Sequence, residues 1–169
     1  MMVAMFWDSE GVILTHCVPK STTVTGQTYE DVLWKKFLPA LRGKRPEKVA
    51  AVFFHHDNAP PHRAARVHQF FDDNFEVVPH APYSPDLAPS DFWLFPTLEG
   101  TLRGRMLSGR SALATAIFQW SQRTPKEAFA AAMQSWRQRC VKCVRLQGDY
   151  VEKCLHFQLP RESNFFLIN

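Results

Sequence analysis

The stretch VAAVFFHHDNAPPH (residues 49–62) limits the possible fold more than any other part of the chain. Residues 49–55 form a short apolar run bounded by breakers, which is how a strand buried on both faces reads. Such strands belong to sheets covered by helices on both sides. The run leads into His55, His56, Asp57 and Asn58, and then into a loop stiffened by Pro60 and Pro61. In open α/β sheets the ends of strands are where sites gather, so a carboxylate delivered there needs a partner.

The flanking sequence supplies the remaining layers. Residues 1–7 and 12–18 read as two strands joined by the turn Asp8-Ser9-Glu10-Gly11. A helix is predicted over 28–41, with Thr28 and Asp31 resembling a capping box and Val32, Phe37, Leu38 and Leu41 on its apolar face. Residues 62–72 are helical in pattern and 75–78 form a short strand. Residues 79–91, PHAPYSPDLAPSD, hold four prolines and read as a rigid extended loop. Ser90 is a good N-cap for a helix that begins at Asp91 and turns Phe92, Phe95, Leu98 and Leu102 inward. Pro96 is expected to kink or loosen that helix. Another helix is predicted over 111–121. Thr124-Pro125-Lys126-Glu127 then reads as a strong start for a helix ending near Leu146, with Thr124 as N-cap. Residues 153–169 have no clear period and read as a tail to a domain over 1–152. The order of elements predicts a mixed α/β domain with a central sheet flanked by helices.

A chain of 169 residues, 46% of them apolar, is long enough for one domain with a sizeable core. No apolar run approaches a membrane span. The N-terminus lacks the basic region of a signal peptide, so the four cysteines are expected to be reduced thiols of an intracellular protein. A zinc site built from Cys140, Cys143, Cys154 and His156 is not favoured, because residues three apart share a helix face by default. The histidines of residues 55–68 likewise do not demand a metal. The net charge of +4 is compatible with nucleic acid without requiring it. Arg42, Lys44 and Arg45 form one basic group, and Arg103, Arg105 and Arg110 a second. Each reads either as solvated surface or as a contact for a DNA backbone.

Asp57 at a strand end and Asp91 at a helix start are the two candidate site carboxylates. Brought together they repel, and a divalent cation removes that conflict. Mg²⁺ takes hard oxygen ligands and few carboxylates, leaving room for phosphate and water. The competing reading is local: Asp57 and Asn58 would form a turn, and Asp91 would favour a helix N-terminus through the dipole.

Taken together, HHDNAPPH and PHAPYSPDLAPSDFWLF resemble the catalytic domain of the mariner-type transposases. VAMFWDSEGVI, LRGRML and the region from Trp136 through CVKCVRLQGDYVE extend the resemblance over residues 3–152. It implies a retroviral-integrase-like, RNase H-like fold and a two-ion Mg²⁺ or Mn²⁺ site. The implied activity is metal-dependent DNA strand cleavage and strand transfer on transposon ends and target DNA. A homodimer and a nuclear location follow from the same resemblance. Position by position, Asp57 matches the second catalytic carboxylate and Asp91 the third. His56 and Asn58 match residues that support the site, and Asp86 is expected to organise its loop. The family's first aspartate lies on a strand ahead of the hairpin, where this sequence begins, so the sheet is expected to be incomplete at the N-terminus. Asp8 matches an aspartate the family does not use for catalysis. The stretch 58–90 is one residue shorter than the family pattern, Pro96 departs from it, and the helix-turn-helix region that reads transposon ends is absent from the sequence. The expectation is a fragment with little or no cutting activity by itself; the alternative is a non-catalytic module that binds DNA or protein.

Overall fold

The computed structural model describes residues 2–18, 23–105, 109–151 and 165–168. Strands β1 (Met2–Asp8) and β2 (Gly11–Val18) form the expected hairpin, with Asp8 paired to Gly11 across the turn. β3 (Phe53–His55) pairs in parallel with β4 (Glu76–Val78) through the crossover helix α3 (Ala65–Asn74). The predicted strand start at 49 is too early, because Pro46–Ala51 coil into a 3-10 turn and leave only three residues for β3. The passage from α3 to β4 needs a single residue, Phe75, whose ring packs on Phe37 and Phe54.

A fifth strand, β5 (Phe165–Ile168), comes from the stretch that reads as a tail. It lies in the middle of the sheet, whose order is β2-β1-β5-β3-β4. β5 is antiparallel to β1 and parallel to β3, with Trp7 opposite Leu167 and Phe54 opposite Phe166. Among the described residues it is the element that joins the hairpin to the parallel pair.

Helices cover both faces, as the apolar run at β3 demands. Along β1 successive side chains point to opposite faces. Phe6 enters a core with Tyr29, Leu33, Phe37, Leu41, Phe54 and Phe71, and stacks on Phe37 at 4.6 Å. Met5 and Trp7 enter the other core with Leu94, Leu98, Trp120, Phe129 and Trp136. Each such fully buried side chain contributes roughly 1.5–3 kcal/mol of transfer free energy.

The first core is closed by α1 (Gly26–Val32), a π-helical turn at Leu33–Phe37 and α2 (Leu38–Lys44). The helical run therefore starts earlier than the sequence suggests. Its capping box is Thr25 with Thr28, in place of Thr28 with Asp31. Gly26 lets α1 approach the loop after β3, since a Cβ there would collide with Ala64.

The second core is closed by α4 (Phe95–Leu102), α5 (Gly109–Arg123) and α6 (Lys126–Arg145). Pro96 is the second residue of α4, and the helical run directly ahead of it widens into a π-helical turn at Ser90–Leu94. α6 begins after Pro125, and the Thr124 hydroxyl turns back to donate to the Trp120 carbonyl, so it does not cap α6. Among the described residues no helix is long and apolar enough to cross a membrane.

Candidate functional site

Asp57 lies two residues past the end of β3 and is held by its own loop. Its Oδ1 accepts from the Ala59 N–H at 2.9 Å and from His62 Nδ1 at 2.6 Å. The ring of His62 is buried against Tyr29, with centroids 4.5 Å apart, so its position is fixed by α1. His56 Nδ1 donates to the Asp57 carbonyl at 2.6 Å, and its ring stacks on Phe71 of α3. Asp57 itself stays 38% exposed, and among the described residues its Oδ2 has no hydrogen-bond partner. Burial raises the Asp57 pKa, but the His62 and Ala59 bonds outweigh it, and the carboxyl is held below its ordinary value. A negative oxygen is thereby kept open to solvent at neutral pH.

Asp91 sits exposed in the first turn of the π-helical segment Ser90–Leu94. Ser90 does not cap it. The Ser90 hydroxyl is buried and accepts from the indole N–H of Trp7 at 3.1 Å, which ties the start of this segment to β1. The loop ahead is anchored by Asp86, whose Oδ2 accepts from the Val151 N–H at 2.7 Å. Arg139 donates to the Asp86 and Val151 carbonyls and lies over the Phe92 ring at 4.2 Å. Asp86 is thus a structural tie between the proline-rich loop and the segment after α6, a longer reach than organising its own turn.

His80 is tied to the loop that carries Asp57. Its backbone carbonyl accepts from Asn58 Nδ2 at 3.0 Å. Its ring lies within the electrostatic reach of Asp57, Asp91 and Asp86. Neither His62 nor His80 was singled out for these roles in the sequence. The five-residue step from Asp57 to His62 in HDNAPPH was the available signal for the first; nothing local marked the second.

Asp8, by contrast, is fully committed. Arg45 grips it with two bonds, Nε to Oδ2 at 2.7 Å and Nη2 to Oδ1 at 3.0 Å, and the Glu10 N–H donates to the same carboxylate. Glu10 in turn pairs with Lys48. Arg45 is therefore a structural partner and no part of a free basic surface, and Lys44 donates to the Val12 carbonyl. Arg103 and Arg105 are exposed around the end of α4, and Arg110 lies in the first turn of α5.

The chain as a whole is similar to known proteins. A family model described as "Transposase (partial DDE domain)" matches residues 1–51. The Mariner Mos1 transposase of Drosophila mauritiana is 34% identical over 155 residues, which is 89% of this chain and 45% of that protein. The crystal structure of the Mos1 catalytic domain superposes with a TM-score of 0.80 at 33% identity, covering 89% of this chain and 76% of that one. The chain belongs to the mariner-type transposases. It spans less than half the length of the full Mos1 transposase and carries the RNase H-like α/β fold of its catalytic domain. A Mos1 paired-end complex with the left transposon end matches with a TM-score of 0.83 at 34% identity, covering 89% of this chain and 44% of that one. The Mos1 catalytic domain has also been solved with Mn and with Mg.

The donor set of this transposase domain suits such ions. Two carboxylates, one with an oxygen left open, are the hard ligands Mg²⁺ and Mn²⁺ take. Among the described residues no three His, Cys, Asp or Glu side chains are grouped to hold a metal. Cys17, Cys140 and Cys143 are free thiols; Cys154 and His156 lie outside the described residues.

Proposed function

We propose that this chain is part of a divalent-metal-dependent DNA strand-cleavage and strand-transfer domain, acting in the nucleus on transposon ends and target DNA as a homodimer. The observation that carries the reading is the open carboxylate oxygen of Asp57 at the end of β3, with Asp91 acting on the same His80 ring. Asp57 and Asp91 would hold Mg²⁺ or Mn²⁺, and the ion supplies an activated attacking oxygen and a stabilised leaving oxygen. The chain's own residues do the positioning. His62 and Ala59 hold Asp57 ionised, Trp7 fixes the start of the Asp91 segment, and exposed Arg103 and Arg105 offer cations to a DNA backbone. The metal and the transposon end in the Mos1 structures support the cofactor and the partner.

Two carboxylates bind such an ion weakly, because each absent oxygen ligand leaves charge uncompensated. The 169-residue chain alone is therefore expected to cut little. Plasmid nicking in Mn²⁺ tests this, with Asp57→Ala beside the natural chain. Little nicking in both is expected. Robust nicking lost in Asp57→Ala would overturn the low activity, and nicking that survives Asp57→Ala would remove Asp57 from the chemistry.

A second reading, a non-catalytic module that binds DNA or protein, is favoured by the bidentate grip of Arg45 on Asp8, which withholds that carboxylate from any metal.

A further inference from the structure

We propose that His80 contacts the substrate, donating a hydrogen bond from Nε2 to a phosphate oxygen of DNA held at Asp57 and Asp91. The inference rests on the metal-site reading above and adds to it a residue that nothing in the sequence motifs marks as chemical.

Three observations support it. First, His80 is clamped to both sides of Asp57. Asn58, the residue after it, bonds the His80 carbonyl at 3.0 Å, and His55, two residues before it, meets His80 Nδ1 through Nε2 at 3.1 Å. His55 is itself buried, edge-on to Trp136 of α6 at 4.7 Å, so the His80 ring is held from a rigid core. Second, the ring is half-buried and lies in the field of both site aspartates. Third, with Nδ1 engaged by His55, Nε2 is the ring nitrogen left over, and among the described residues it has no protein hydrogen bond.

The chemistry follows from the pair. His55 Nε2 and His80 Nδ1 face each other at 3.1 Å and share one proton between them. When His55 Nε2 donates to His80 Nδ1, His80 Nε2 carries a proton and is a donor. An N–H at this position can approach a phosphate diester, where a third carboxylate would repel it.

Two substitutions separate contact with DNA from support of the fold. Asparagine places its amide near Nδ1 and can still meet His55, whereas glutamine reaches the position of Nε2 with a donor. The measurement is the affinity of the full 169-residue chain for a fluorescent duplex DNA, by anisotropy, with and without Mn²⁺. His80→Asn is expected to weaken the Mn²⁺-dependent part of binding about tenfold, as for loss of a hydrogen bond to a charged group. His80→Gln is expected to keep it within about threefold, with thermal midpoints of both variants close to that of the natural chain. Natural affinity in His80→Asn, or an equal loss in His80→Asn and His80→Gln, overturns the inference while leaving the metal site standing. Asp57→Asn is the control. If Mn²⁺-dependent binding survives that change, or is absent from the natural chain, the metal-site reading fails and this inference fails with it.

Discussion

Asp8 and Asp57 both stand at the ends of strands in one sheet, and they are built for opposite purposes. Asp8 is buried, doubly bonded to Arg45 and closed by the Glu10 N–H. Asp57 has one oxygen tied to His62 and Ala59, and the other among its described surroundings is open. A carboxylate whose oxygens are all engaged by protein serves the fold; one held on a single oxygen is available to an ion. The two aspartates differ in what is left unpaired, and strand-end position alone does not decide that.

The largest effect should come from breaking the closed site. Asp8→Ala removes both Arg45 bonds to that carboxylate and leaves the half-buried guanidinium only Glu10 at 3.7 Å and the Lys44 carbonyl, and denaturant unfolding should show a loss of about 3 kcal/mol. Asp57→Asn should cost about 1 kcal/mol or less, because its hydrogen bonds lie at a partly exposed site. Equal losses in the two variants would remove the contrast.

The acid response comes next. Burial holds His55 at a pKa of about 3 and His56 at about 4. The unfolded chain protonates both near pH 6.5, so on acidification it binds protons that the folded chain refuses, and stability falls. The loss begins as pH drops through the unfolded value and stops only below the folded ones. From about pH 7 to about pH 5 the His55 contribution alone is about 2 kcal/mol, and His55→Gln should flatten the slope of unfolding free energy against pH by that amount.

The smallest effect probes how the two regions are joined. Trp7→Phe keeps most of the buried ring but removes the bond to Ser90, and should cost about 1 kcal/mol in the same unfolding assay. A loss within error would mean that the Asp91 segment is set by its own loop.

How much of this was legible in the sequence depended on the range of the interaction. The β3 run, the hairpin and the aspartate motifs are local patterns, and the fold follows from them. Ser90 and Thr124 looked like caps because that is their usual local role, but each hydroxyl found another partner: Trp7 is 83 positions away, and Trp120 lies in the preceding helix. The same holds for Arg45, read as surface charge until Asp8 is placed beside it. β5 was the least legible element. Four apolar residues without a turn signal or alternation carry no period, and their place between β1 and β3 is set by pairing with strands more than a hundred residues earlier. His80 lies between these cases: its loop was recognised, but its bonds to Asn58 and His55 reach 22 and 25 positions back along the chain.

The central claim, that Asp57 and Asp91 are the metal-holding carboxylates and Asp8 is not, is tested most directly by titrating Mn²⁺ into the chain and following free ion by electron paramagnetic resonance. The account predicts weak binding in the natural chain that is lost in Asp57→Asn and in Asp91→Asn, each of which stays folded by circular dichroism. Mn²⁺ binding unchanged in both variants would contradict it.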